Sequence, residues 1–422
     1  MTWWMHLNRF LNPRRMTYAW IAGGVLWFAW LLSSLLGPGN MDLAGQAVGT
    51  DYLQFYTAGV TLRQGQSANL YDFEYQSQLE QAIAGPGLAN YHAFLTPPFF
   101  AWLFVPLSFL PYIWSFIVWS LLGFVFLWIS IKLLSTERQA KGFLWSLTWF
   151  PIFAAISFGQ NSLLSLLLFC LTYWLWKKEK YLAAGLVSSL LLFKPQMVLG
   201  VGLLWLFEWR KSWKSLIGLA VGGATLAGLC FWLLPGASQT YIDVARNFLP
   251  GLIYQSQFPL WHLHSLRGFW ILLFPGNTWI AEGLSLLLSI FGILAFFFFW
   301  RKYHTKPALL FAVAICVTIW ITPHAMIYDW SILLIPAILF WQSLPQLREL
   351  WKPLFALLWI ATFLSGPLTF AQLKFLPLAI QISIPILFWV FLTAYINMTS
   401  QGIYADELGG TLGKKDLNKV TD

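Results

Sequence analysis

The feature of this sequence that most limits its fold is a series of long apolar runs separated by short polar stretches. Hydrophobic residues make up 59% of the 422 residues and charged residues only 10%, which is too few to form the surface of a water-soluble globule. A helix needs about 20 apolar residues to cross the roughly 30 Å hydrocarbon core of a bilayer. The sequence therefore predicts an all-α polytopic membrane protein with about twelve transmembrane helices. We place these spans at 16–36, 112–134, 142–158, 160–176, 181–193, 196–208, 214–234, 277–300, 307–322, 327–342, 353–372 and 376–397.

The distribution of basic residues predicts how these spans are oriented. The run from Met16 to Leu36 follows a basic N-terminus and lacks a small-residue cleavage site, so we expect it to stay as a transmembrane helix. Lys and Arg accumulate in cytoplasmic loops, and all but five of the 25 fall on one side when both termini are cytoplasmic. Counting 98–110 as a further span would destroy this asymmetry, so we predict interfacial helices there. The five extracytoplasmic basic residues are Arg63, Lys194, Arg246, Arg267 and Lys374.

This topology predicts one membrane-embedded domain, residues 1–397, followed by a cytoplasmic tail, 398–422. Two long segments, 37–111 and 235–276, lie on the extracytoplasmic side. The net charge of +9 follows the cytoplasmic loops and does not form one stripe, which argues against a nucleic-acid partner. The long first loop is unusual for a simple connector, because it begins with an acidic and aromatic patch and ends with a Pro-Pro pair.

The acidic residue of that patch is Asp51, in the stretch GTDYLQFYTAG just beyond the first span. One interpretation is a helix N-cap, because Asp is favoured at the position before a helical run such as Tyr52 to Leu62. The other is a general base, a carboxylate that takes a proton from an acceptor hydroxyl. The sequence leaves both open, and the neighbouring Tyr52 is a candidate substrate contact.

Lys194 is the most informative single residue within the apolar runs. The run from Tyr181 to Phe193 would form only about 20 Å of helix, which is too short to reach the bilayer surface. Lys194 would then lie below the surface where two short helices meet, with Pro195 opening the second. An ionisable group at that depth is costly and faces a cavity or a partner. The alternative is one long helix, 181–207, kinked at Pro195.

A third polar group lies in the stretch ITPHAMIYDWSILLIP between two apolar runs. If a helix begins after Pro323, His324 and Tyr328 share one face at i and i+4, and Asp329 lies about 100° from Tyr328. Three polar groups at a span end favour substrate binding, and interfacial hydrogen bonding is the alternative for His324. All three residues are candidate substrate contacts.

Two smaller motifs complete the candidate site. His262 and His264 have the spacing of a metal pair, but no third or fourth ligand is visible, so we prefer substrate contact or interfacial placement. The stretch Gly159-Gln160-Asn161 predicts a tight turn between two spans. The amides of Gln160 and Asn161 are also suited to hydrogen bonding with sugar hydroxyls.

With these motifs in place, the chain resembles the polytopic glycosyltransferases of the GT-C fold, and most closely glycosyltransferase family 87. The resemblance departs from the family pattern at Thr96, where an aromatic residue is usual before Pro97, and at Thr322, where Ser is common. The matching motifs occur in the expected order between about residue 51 and residue 330. They are DYLQFYTAG with GQSANLYD, LTPPFFAWLFVPLSFLP, FGQNSLLSLLL, AAGLVSSLLLFKPQ and TPHAMIYD.

The resemblance implies an inverting transferase that moves a sugar, mannose or a similar hexose, from a polyprenyl-phosphate donor to a glycolipid or glycan acceptor. Asp51 stands at the position of the first-loop catalytic acidic residue. Lys194, helped by Arg246 or Arg267, would stabilise the departing phosphate, and His324 would position the acceptor or hold the phosphate. This chemistry requires no cofactor, and the sequence gives no ligand set for a divalent metal.

The implied enzyme is an integral protein of a bacterial-type inner membrane, surrounded by membrane lipids, with its site on the extracytoplasmic face. Two alternatives use the same lipid-linked chemistry. A transporter or lipid flippase would place charges between broken helices and would show internal repeats, which the sequence lacks. A polymerase or ligase of lipid-linked glycans would favour more Arg in the outer loops.

Overall fold

A computed structural model describes residues 13–415 except 136–138 and 256–257, together with residues 6, 8 and 11. Side chains are described for 16–399 within that range. This part of the chain is helical and contains two isolated β-bridges but no strand. The helices are α1 Pro13–Leu36, α2 Tyr52–Arg63, α3 Phe73–Ala84, α4 Tyr112–Leu134, α5 Gln139–Leu147, α6 Phe150–Ser157, α7 Ser162–Lys177, α8 Tyr181–Ser189, α9 Leu199–Phe207, α10 Trp209–Leu233, α11 Pro235–Asp243, α12 Leu266–Leu273, α13 Thr278–Tyr303, α14 Pro307–Ile321, α15 Leu334–Ser343, α16 Arg348–Phe375 and α17 Ser383–Lys415.

Among the described residues, five helices are long and apolar enough to cross a membrane, or six if one bent pair counts as a span. The bent pair is α6 and α7, whose axes differ by 119° across the break between them. Several predicted spans are instead short apolar helices of 10–17 residues, so the count of twelve is not confirmed. The full-length candidates are Met16–Leu36, Tyr112–Leu134, Trp209–Leu233, Thr278–Tyr303 and Pro345–Phe375.

The long helices carry apolar side chains outward, as a lipid-facing helix must. Phe28 on α1 is 66% exposed and Trp232 on α10 is 77% exposed, although both are large and apolar. The interior contacts between helices are close. A Cβ atom at Gly185 of α8 would collide with the backbone of Ser215 on α10, so glycine permits the two helices to touch.

The short apolar helices end at irregular backbone inside the protein. One such pair is Tyr181–Phe193 and Pro195–Phe207, and the next is Pro307–Ile321 and Ile327–Ser343. At 1.5 Å per residue none of these reaches across a hydrocarbon core of roughly 30 Å. Non-helical backbone at such a depth is tolerated where it is buried in protein or lines a cavity. The breaks are therefore where polar chemistry inside the helix bundle is expected.

The first loop, 37–111, is a packed unit around α2. Most residues of α2 are buried, and the Phe55 ring stacks on Phe104 at 5.1 Å between centroids. The stretch 98–110 forms short helical turns and no long helix. The hydroxyl of Tyr56 donates to the carbonyl oxygen of Leu110 at 2.8 Å and ties these turns to α2.

The second segment, 235–276, lies on the same side of the helix bundle as the first loop. Tyr241 of α11 packs against Tyr71 at 5.6 Å, and Phe248 packs against Phe73 at 4.8 Å. The two segments that the sequence predicts on one face are thus in contact. At the other end, α17 continues into the predicted tail 398–422 as far as Lys415, and residues 416–422 lie outside the described part.

Candidate active site

Asp51 precedes α2 at the N-cap position, but its side chain makes no capping hydrogen bond. Its carboxylate is held from outside the helix. Nε2 of Gln160 donates to Oδ2 at 2.6 Å, and Nδ1 of His92 lies 3.2 Å from Oδ1. The capping interpretation is therefore wrong, since neither oxygen bonds to the N-H groups of α2. The side chain is 16% exposed, so it is not fully enclosed.

His92 reaches Asp51 because α3 anchors the segment that carries it. The side-chain oxygen of Gln76 accepts from the backbone N-H of Phe94 at 2.8 Å, and Oε2 of Glu80 accepts from the backbone N-H of His92 at 3.0 Å. Sequence reasoning missed both His92 and Glu80. They lie in a polar stretch without periodicity, and the only local signal is a lone His shortly before the Pro-Pro pair.

The break between α6 and α7 holds the other oxygen of Asp51. The carbonyl of Phe158 accepts from the N-H of Tyr52 at 3.0 Å, and Nε1 of Trp119 donates to the carbonyl of Gly159 at 2.9 Å. Gly159 has φ +63°, and a Cβ there would collide with Tyr52. Only glycine fits this position without strain, because left-handed backbone and close contact coincide. The turn thus presents Gln160 to Asp51.

The same turn also reaches the Lys194 region. Oγ of Ser162 donates to Oδ1 of Asp329 at 2.9 Å, and Nζ of Lys194 lies 2.7 Å from that oxygen. The backbone N-H of Met326 donates to Oδ2 at 3.1 Å. One turn, from Gly159 to Ser162, therefore connects the carboxylate of the first loop to the buried ion pair.

Lys194 lies at a true break in the helix. It is non-helical, with φ −132° and ψ 77°, between the 3₁₀ helices Leu190–Phe193 and Pro195–Val198. The alternative of one kinked helix over 181–207 is wrong. The side chain is 14% exposed, Asp329 is 2% exposed, and the ammonium also lies 5.1 Å from the ring centroid of Tyr328.

Aromatic side chains line the space between these two polar groups. The ring of Phe158 lies 5.8 Å from His262 and 6.4 Å from Tyr328. The His262 ring is tilted by 36° against that of Trp261, with 3.5 Å between centroids, and is within electrostatic range of Asp51, as is Tyr328. The hydroxyl of Tyr52 bonds to Oγ of Ser115 at 2.5 Å, so that group is occupied inside the core.

Some candidates lie in other environments. His264 is buried and bonded to Oγ of Ser383 at 2.8 Å, which is a structural contact. Arg267 pairs with Glu282 at 2.6 Å. Arg246 is exposed, and within the part of the chain that is described it forms no ion pair.

His324 does not share a helical face with Tyr328, because the 3₁₀ helix there begins only at Ile327. The i, i+4 argument made from the sequence is therefore wrong. The His324 ring packs against Phe258 at 5.5 Å and is within electrostatic range of Asp329, Lys194 and Arg267. His324 is thus placed beside the ion pair by the loop and not by a helix.

Asn161 is fully buried in the turn between the two carboxylates. Neither its amide nitrogen nor its amide oxygen has a hydrogen-bond partner among the described residues. Buried amides without partners are costly, and those in native structures call for an explanation such as a ligand or water. The substrate contact predicted for Asn161 from the sequence stays a prediction.

The protonation of Asp51 follows from its surroundings. Burial by itself would raise the pKa of Asp51, but the hydrogen bond and charge of His92 and the bond from Gln160 bring it below the ordinary value. Burial lowers the pKa of His262 to about 4, so this imidazole is neutral at pH 7. Asp51 is thus an ionised carboxylate that is able to accept a proton.

In the described residues, no group of three or more His, Cys, Asp or Glu side chains is placed to hold a metal ion. His262 and His264 differ in surroundings, since the His262 ring packs against Trp261 and His264 bonds to Ser383. The expectation that the reaction requires no cofactor stays a prediction, and an assay is needed to test the use of a divalent cation.

Comparison with known families settles the class of this membrane protein. Residues 94–323 match the model of glycosyltransferase family 87, which covers more than half of the chain. The chain belongs to glycosyltransferase family 87. Neither a curated protein nor a solved structure matches this family 87 glycosyltransferase.

The matched range of this family 87 glycosyltransferase includes Gln160, Asn161 and Lys194. Asp51 and His92 precede it, and His324, Tyr328 and Asp329 follow it. The resemblance noted from the sequence is confirmed at the level of the family, and the roles of individual residues stay predictions.

Proposed function

We propose that this glycosyltransferase moves a hexose, mannose or a similar sugar, from a polyprenyl-phosphate donor to a hydroxyl of a glycolipid or glycan acceptor, with inversion. The observation that carries the proposal is the turn Gly159 to Ser162. It holds Asp51 through Gln160 and the Lys194–Asp329 ion pair through Ser162. A proton acceptor and a cation are thus fixed to one short segment, as transfer from a phosphate-linked donor requires.

The chemistry needs one bond to form and one to break at the anomeric carbon. The acceptor oxygen attacks this carbon from the face opposite the phosphate, and its proton passes to the Asp51 carboxylate. The bond from the anomeric carbon to the phosphate oxygen breaks, and its electron pair leaves with the phosphate. General-base assistance of this kind contributes typically 10²- to 10⁴-fold to a rate.

Lys194 is proposed to stabilise the departing phosphate. An ammonium group has three donors, and the described contacts use one of them on Asp329. The remaining donors are suited to phosphate oxygens, whose charge grows as the bond to the sugar breaks. Asp329 then serves to hold the ammonium in place when no donor is bound.

The remaining substrate contacts are assigned by position. Asn161 has an unpartnered amide in the turn that bonds to both carboxylates, and the rings of His262 and Tyr328 both pack against Phe158. His324 lies beside the ion pair and is proposed to contact the phosphate or the acceptor. Arg267 is already paired and Arg246 is exposed, so their part in phosphate binding is proposed only for a donor-bound state.

A polyprenyl-phosphate donor keeps its tail in lipid and its sugar at the membrane interface. The packed segments 37–111 and 235–276 contact each other on one side of the helices, and we place this side on the extracytoplasmic face. A flippase would transport such a lipid without bond cleavage, and the family membership favours transfer. A glycan polymerase or ligase would differ from this enzyme in its acceptor.

The test is Asp51→Asn in purified protein, assayed with a panel of polyprenyl-phosphate sugars. Asn retains the shape of Asp but cannot take up the acceptor proton, so transfer should fall by about two orders of magnitude or more. Donor binding and thermal stability should stay close to wild type. A variant with near-normal turnover would refute the general base, and a wild-type enzyme that consumes none of the donors would refute the proposed donor class.

A further inference from the structure

His92 is the one charged partner of the Asp51 carboxylate among the described residues. Its Nδ1 lies 3.2 Å from Oδ1, while Gln160 binds Oδ2 at 2.6 Å. The two oxygens are therefore held by two different segments of the chain. Each carboxylate oxygen accepts more than one hydrogen bond, so both anchors leave room for an acceptor hydroxyl.

We propose that His92 is a positioning residue, an imidazolium that fixes the orientation of the Asp51 carboxylate and keeps it ionised for proton abstraction. The proposal rests on the proposed function, in which Asp51 is the general base. His92 itself transfers no group. It acts through Asp51, and its contribution is distinct from that of Gln160 because only His92 carries charge.

The segment that carries His92 is built to hold the imidazole still. Gln76 accepts from Phe94 N-H at 2.8 Å and from the Tyr91 hydroxyl at 3.0 Å, and its own amide donates to Leu70 at 2.8 Å. Glu80 accepts the backbone N-H of His92 itself. These bonds run to α3 and to the chain just before it, so the orientation of the imidazole is set by a rigid element rather than by a mobile loop.

The charge of His92 follows from the same contacts. Burial by itself would lower the pKa of the imidazole, but the hydrogen bond and charge of Asp51, with a further contribution from Glu80, raise it above the ordinary value. The contact with Asp51 thus favours the imidazolium form of His92. Its charge in turn lowers the pKa of Asp51, which keeps the carboxylate ionised.

Nε2 of His92 is buried and has no hydrogen-bond partner in the described part of the chain. In the imidazolium this nitrogen carries a proton, and a buried donor without an acceptor is costly. The side chain of His92 is thus oriented through its Nδ1 contact with Asp51.

The other titratable groups that face Asp51 and His92 come from four segments of the chain. Glu80 on α3 is in contact, and His262 in the second segment, Tyr112 on α4 and Tyr328 are within electrostatic range. Burial raises the pKa of Glu80 to about 8, and His262 is neutral above about pH 4. A change in activity between about pH 5 and pH 7 therefore reports mainly on Asp51.

The test compares His92→Phe and His92→Gln with wild type by the pH dependence of kcat and by donor KM. Phe removes both the hydrogen bond and the charge, whereas Gln keeps an N-H donor and removes only the charge. Without the imidazolium the pKa of Asp51 rises, so the acid limb of kcat should move to higher pH in both variants. Wild type should stay nearly flat from about pH 7 down to about pH 5.

At about pH 7 we expect kcat of His92→Phe to fall about tenfold to a hundredfold, because the carboxylate loses one of its two anchors. His92→Gln should recover much of this loss at pH 7 and lose it again towards pH 5. Donor KM should change by less than about threefold in both, since the phosphate is bound elsewhere. Tyr91→Phe is the matched control, because it removes a hydrogen bond of the same segment without touching Asp51.

The outcomes separate this proposal from the proposed function. If wild type transfers sugar and Asp51→Asn does not, but both His92 variants keep the wild-type kcat and pH profile, the positioning role is wrong and the general base stands. If the variants lose thermal stability while the acid limb stays in place, His92 is structural only. If Asp51→Asn is fully active, the proposed function itself fails.

Discussion

Glu80→Gln is expected to stabilise this enzyme more and more as the pH rises, because Glu80 is buried as a neutral acid. The side chain has no exposed surface, and burial raises its pKa from 4.5 to about 8, with a smaller contribution in the same direction from Asp51 and opposing contributions from His92. Its Oε2 accepts one backbone N-H and Oε1 has no partner among the described residues. Folding therefore takes up a proton at this site at neutral pH.

The sign and size of the effect follow from this change in pKa. The unfolded chain releases the proton near pH 4.5 and the folded chain only near pH 8, so the contribution of Glu80 becomes less favourable as the pH rises between these values. A tenfold change in a proton equilibrium is worth about 1.4 kcal/mol, which gives about 5 kcal/mol across the whole interval. Gln has nearly the same shape, accepts the same N-H and does not ionise.

The assay is thermal unfolding in detergent, followed by the fluorescence of the 27 Trp residues at several pH values. The melting temperature of Glu80→Gln relative to wild type should rise from about pH 5 to about pH 8 and then level off. Glu74→Gln on the same helix is the control, since Glu74 is exposed and should give parallel curves. If the plots of melting temperature against pH were parallel for Glu80→Gln and wild type, Glu80 would not be a buried neutral acid. A difference in melting temperature that does not depend on pH would reflect packing of the amide alone.

Two further predictions concern the ion pair and the orientation of the chain. Lys194→Met should lose most donor affinity or turnover and also some stability, because it leaves Asp329 as an unpaired buried carboxylate. The double variant Lys194→Met, Asp329→Asn should recover the stability but not the turnover, and a double variant with normal turnover would leave Lys194 only a structural role. A cysteine label at Gln66 should react from the extracytoplasmic side and one at Gln139 only after permeabilisation, with little background because the three native cysteines are buried. Reaction of Gln139 from outside would overturn the proposed sidedness.

The sequence predicts best those features that depend on the length of an apolar run or on a polar residue at its end. The five full-length helices were predicted from long apolar runs, and Lys194 was predicted at a helix break because its run was too short. The motif around Gly159 was predicted as a turn, and the structure shows why glycine is needed there. These are local features, since each is written in consecutive residues.

The contacts that complete the site could not be predicted from consecutive residues. His92 meets Asp51 only because α3 folds back and fixes the segment after it, and Glu80 becomes buried only through that packing. No spacing in the sequence encodes such a pair. The count of twelve spans is not confirmed for a related reason, because apolar composition does not show whether a run crosses the membrane or stops at a break that other helices cover.

The charged residues of the candidate site come from a packed loop and from a helix break, and their surroundings differ. Asp51 lies in the packed loop, where its side chain is not fully enclosed, whereas Lys194 lies within the bundle and is balanced by Asp329. An unpaired ammonium at that depth would be costly, and the carboxylate of Asp329 supplies the opposite charge. Because the turn from Gly159 to Ser162 bonds to both carboxylates, a displacement of either end would move the other. In the proposed inverting reaction, attack and departure occur on opposite faces of one carbon, so a separation of Asp51 and Lys194 that is fixed by these four residues would favour transfer.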